Sequence, residues 1–107
     1  MSATLRRVQA LAGGGELRIS SHGYDELAAD GIPVGDAIHG LAKAVVVEDY
    51  PTYPKGPCVL VLQQDSAGHP IHVVWGLPAG EDSPGVLVTA YRPAAAAWDT
   101  DFRRRRT

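Results

Sequence analysis

Four short apolar runs, at 44–50, 58–64, 70–77 and 85–91, follow one another with only turn- or loop-sized gaps between them. Such gaps are too short for the crossovers that parallel strands need. The runs are therefore predicted to pair with their sequence neighbours as an antiparallel meander. The gaps have turn chemistry. Pro51, Pro54, Gly56 and Pro57 break the first, Asp65-Ser66-Ala67-Gly68 closes a hairpin at the second, and 78–84 is a loop made acidic by Glu81 and Asp82. Three consecutive valines, Val45, Val46 and Val47, favour extended backbone. In the third run, alternation puts Ile71, Val73, Trp75 and Leu77 on one face and His72, Val74 and Gly76 on the other. Arg92-Pro93 ends the last run, because proline cannot donate to the ladder.

The residues before 44 have the other period. Leu5, Val8, Leu11 and Ala12 recur at helical spacing, and Gly13-Gly14-Gly15 stops that helix. A brief extended piece at 17–19 follows. Ser20 and Ser21 can cap a second helix, with Asp25 and Glu26 in its first turn and Tyr24, Leu27 and Ala28 facing inward. Asp30-Gly31 ends it. Pro33 suits the first position of a third helix, whose buried face is Val34, Ala37, Ile38 and Leu41. One last helical turn at 94–99 is anchored by Trp98. Helices grouped before strands predict an α+β fold: N-terminal helices packed on a four-stranded antiparallel meander sheet.

A chain of 107 residues fits a single domain, 1–107, with 103–107 as a flexible basic tail. No apolar run approaches the ~18 residues that span a bilayer, and the N-terminal apolar segment ends in glycines rather than a cleavage site. Cys58 is the only cysteine, which excludes an internal disulfide and paired-cysteine zinc sites and suits a cytoplasmic, reducing compartment. Apart from the arginines at 103–106, six basic residues face twelve acidic ones, so the body carries about −6. A general nucleic-acid binder has the opposite sign. Edge strands in so small a sheet admit a homodimer.

Candidate chemistry rests on few residues. No H-E-x-x-H, phosphate-binding glycine loop, serine-nucleophile motif or carboxylate cluster is present, so neither a metal nor a cofactor is expected. His39 and His69 read as surface residues. His22 lies near a helix start, where the dipole disfavours the imidazolium. It is either a neutral base or a local packing residue. His72 stands in an apolar strand, as a satisfied core residue or, beside another polar group, as a catalyst. Tyr91 and Arg92 end the last strand. A phenol and a guanidinium suit phosphodiester chemistry, though alternation sends their side chains to opposite faces.

The order of these marks carries a resemblance. Ile19-Ser20-Ser21-His22, Asp30-Gly31-Ile32, Glu48-Asp49-Tyr50-Pro51, Gly56-Pro57, Gly68-His69-Pro70-Ile71-His72-Val73-Val74 and Val88-Thr89-Ala90-Tyr91-Arg92-Pro93, with Trp98 after them, cover about 17–106. The chain resembles a bacterial and archaeal domain family of unknown function whose members open with S-x-H and close with T-x-Y-x-P, related to the RelE and BrnT ribonuclease toxins. The resemblance implies a small sheet with helices on one side, metal-independent RNA cleavage or an inactive relative of it, and an antitoxin-like protein or RNA as partner. The matching catalytic positions are His22, His72, Tyr91 and Arg92. In that chemistry a base takes the ribose 2′-hydroxyl proton, an acid protonates the leaving oxygen and a cation steadies the phosphorane. This chain departs from the pattern at Glu26 and Asp30, in a helix where many members of the family carry arginines. The alternative is a non-catalytic interaction module that uses the acidic face of Asp25, Glu26 and Asp30 or the sheet edge, and a third option is a small-molecule binder with a pocket near His22 and Tyr91.

Overall fold

Ser2 and Ser20 set the first two helices. The Ser2 hydroxyl accepts the Leu5 amide at the start of α1 (Ala3–Gly13), and the Ser20 hydroxyl accepts the Gly23 amide at the start of α2 (Ser21–Ala29). Each satisfies a donor that the helix itself leaves orphaned. The computed structural model describes residues 2–105. After α2 the chain turns at Gly31, whose φ is +63°, into α3 (Val34–Gly40) and a 3-10 turn at Leu41–Lys43. Among the described residues no helix is long and apolar enough to cross a membrane.

The strands are β1 (Leu17–Ile19), β2 (Val45–Tyr50), β3 (Cys58–Gln64), β4 (Pro70–Gly76) and β5 (Gly85–Tyr91). They form one mixed sheet in the order β1-β5-β4-β3-β2. The meander of β2 to β5 is antiparallel as expected. The expected four-stranded antiparallel sheet is corrected by β1, which adds a fifth strand parallel to β5, pairing Leu17 with Gly85 and Ile19 with Leu87. A parallel neighbour so distant in the chain leaves no local mark in the sequence, and three residues are too few to show a period.

All three helices cover one face. Leu5 and Val8 of α1, Leu27 of α2 and Ala37 of α3 join Leu41 against Val59, Val61, Ile71, Val73, Trp75, Leu87 and Ala90 of the sheet. Two glycines let the layers approach. A Cβ on Gly23 would stand 2.8 Å from the Leu87 carbonyl oxygen, and one on Gly40 would stand 2.8 Å from Gln63 Nε2. Gln63 is buried in this layer and fully satisfied: its amide donates to the Ala37 carbonyl and its oxygen accepts the indole N–H of Trp75. The helical face of α2 is corrected. Leu27 is buried as expected, but Tyr24 and Ala28 are exposed, and Gly23 takes the inward place, set close against Leu87.

Candidate functional site

Strand alternation puts His72 and Tyr91 on the face away from the helices, since Ile71, Val73 and Ala90 point into the helical core. His72 and Tyr91 are paired across β4 and β5. On that same face lie Leu62 beside His72, and Glu48 opposite Leu60 on β2. The chain after Arg92 returns over this face. An exposed alanine run, closed into one turn by the Ala97 amide on the Ala94 carbonyl, leads to Trp98. Trp98 is buried and sets its ring edge-on to His72 at a centroid distance of 4.3 Å. Phe102 offers its carbonyl oxygen 2.7 Å from His72 Nε2. Arg105 bridges to Trp98 across a β-bridge, stacks its guanidinium 4.6 Å above the Trp98 ring and forks onto both Glu48 oxygens.

These contacts fix the protonation of His72. A carbonyl only accepts, so Nε2 carries the hydrogen. The ring is fully buried, and burial pushes its pKa below the ordinary value, which keeps it neutral. Nδ1 is then a bare acceptor, and the Tyr91 hydroxyl, 3.2 Å away, donates to it. Burial raises the Tyr91 phenol in turn. Glu48 is held below the usual carboxylate value by the Arg105 guanidinium and by the Tyr50 hydroxyl, which donates over 2.6 Å. His72 and Tyr91 are joined to Arg105, Glu48 and Tyr50 through the Trp98 ring, and together they form one cluster. Among the described residues, no buried side-chain nitrogen or oxygen lacks a partner, those of this cluster included.

The other two candidates lie elsewhere. His22 sits on the first turn of α2, in the helical layer on the far side of the sheet from His72. Its side chain is 65% exposed, and Glu26 stands 3.7 Å from it along the same helix. The serine of the S-x-H pattern is structural, since the Ser20 hydroxyl donates to the Val88 carbonyl and so ties the start of α2 to β5. Arg92 points back to the helical side. It donates to the carbonyls of Asp30 and Gly31 and to the Asp65 carboxylate at 2.9 Å, while its amide donates to the Asp30 carboxylate. It therefore ties the turn between α2 and α3 to the hairpin between β3 and β4. Asp65 is held below the usual carboxylate value first by the His69 amide and then by Arg92.

His22 and Tyr91 therefore share no hollow, because the sheet stands between them. Sequence reasoning also missed the partners that complete the cluster. Glu48 and Arg105 are 57 residues apart, and Phe102 contributes only a backbone oxygen, which has no residue-type signal. The segment at 103–107, expected as a free tail, is engaged through Arg105, and its last two residues lie outside those described. No cluster of metal-ligating side chains occurs among the described residues.

Against known proteins, no curated protein and no solved structure matches the chain. A family described as a domain of unknown function, DUF4258, matches residues 19–92, from the end of β1 to Arg92. With well over half of its length matched, the chain belongs to the DUF4258 family.

Proposed function

We propose that the chain is a RelE/BrnT-related domain that binds a protein partner of antitoxin type and does not cleave RNA. The observation that supports this reading is the dispersal of the four candidate residues. His22 is across the sheet, Arg92 is engaged by Asp30, Gly31 and Asp65, and His72 is sealed with both ring nitrogens hydrogen-bonded. The expected four-residue phosphodiester site has its base, acid and cation around one group. The surface that remains open on α2 is acidic. Asp30 is held by Arg92, which leaves Asp25 and Glu26 on the outer side of α2 beside Tyr24, 54% exposed. An exposed tyrosine flanked by carboxylates fits a basic partner segment. Pull-down with the immobilised domain tests this. A partner retained from native lysate and released by Asp25→Lys/Glu26→Lys supports the reading. No retained partner, or retention indifferent to the charge reversal, overturns it.

A second reading is favoured by the His72–Tyr91 hydrogen bond. An imidazole with a bare Nδ1 against a phenol is a base and an acid in contact. In that reading His72 and Tyr91 act on RNA once the C-terminal segment leaves, and His22 and Arg92 take no part. Tyr91→Phe then abolishes cleavage, whereas His22→Ala leaves it unchanged.

A further inference from the structure

We propose that residues 94–105 form a reversible strap that controls solvent access to the His72–Tyr91 pair, with Arg105 on Glu48 as its latch. The strap lies beyond the residues that the family match covers, which end at Arg92. It holds its own shape. The Asp99 amide donates to the Arg104 carbonyl, the Phe102 amide donates to the Asp99 carbonyl, and the Asp99 carboxylate accepts the amides of Arg103 and Arg104. A segment with that many internal bonds moves as one piece about the alanine run that joins it to β5.

Its grip on the sheet is local. Trp98 packs edge-on to His72, the Phe102 carbonyl takes the Nε2 hydrogen, and Arg105 closes the loop on Glu48. The latch is open to solvent, with Arg105 59% and Glu48 32% exposed, so water and salt compete for it. Phe102 has a φ of +59°, a conformation that side chains other than glycine rarely hold. That backbone geometry belongs to the strap itself and aims the Phe102 carbonyl at His72 Nε2. When the strap lifts, Nε2 of His72 meets water while Tyr91 stays on Nδ1.

Histidine modification by diethyl pyrocarbonate, read residue by residue by peptide mass spectrometry, tests this. His22, His39 and His69 are exposed and serve as internal references. In the wild type His72 reacts at least tenfold more slowly than these three. Arg105→Ala and Glu48→Gln each speed His72 modification about three- to tenfold, as does 1 M salt, while the references are unchanged. A chain ending at Ala97 brings His72 to the reference rate, with its far-ultraviolet circular dichroism confirming the fold. Should the shortened chain fail to fold, the two point variants decide. Wild-type His72 reacting as fast as His22 overturns the proposal. So does protection that survives both point variants and high salt.

Discussion

Gln63 and Arg92 show how polar residues hold this molecule together. Gln63 stands between Ala37 of α3 and Trp75 of β4, and its removal leaves a buried carbonyl and a buried indole N–H without partners. Gln63→Leu is expected to lower the unfolding free energy by about 1–3 kcal/mol in a urea titration. Arg92→Ala is expected to cost about 1–2 kcal/mol, because its ion pair is partly exposed but its carbonyl contacts are not replaced. At this scale the sequence was informative about direction. Alternation alone sends Tyr91 and Arg92 to opposite faces, as the structure has them. It was uninformative about partners, because Asp30 and Asp65 reach Arg92 from turns distant in the chain.

The elements were legible wherever a local period or a turn marked them. β3 and β5 coincide with the apolar runs 58–64 and 85–91, and Asp65 closes the hairpin by accepting the amides of Ala67 and His69. The extended piece at 17–19 and the burial of Leu27 were legible, but the pairing of β1 and the rest of the inward face of α2 were not, since both depend on β5. The pairing of β1 is parallel and distant, and the inward place of Gly23 on α2 is set close against Leu87. Gly23→Ala places a methyl group 2.8 Å from a backbone oxygen that cannot move without disturbing β5. We expect it to destabilise by about 1–3 kcal/mol and to loosen α2 first. Hydrogen exchange checks this: amides of α2 lose protection while those of β3 and β4 keep theirs.

Over the whole molecule, pH reports the neutral burial of His72. Its folded pKa lies below the ordinary value of about 6.5, so the unfolded chain binds a proton that the native state refuses. Stability is therefore level above about pH 7 and declines as pH falls through about 6.5, a decline absent in His72→Gln. Glu48 and Asp65 act lower. Their folded values are depressed, so their contribution is present above the ordinary carboxylate range and is lost as pH falls below about 4. Thermal unfolding from about pH 8 to about pH 3 checks both windows. The measurement closest to the central claim is RNA cleavage. Purified domain is added to translating ribosomes on a defined mRNA, and strand breaks are mapped by primer extension. A domain that binds a partner and leaves RNA intact gives the same extension products as a reaction without it. New breaks made by the wild type and lost in His72→Gln or Tyr91→Phe would contradict that reading.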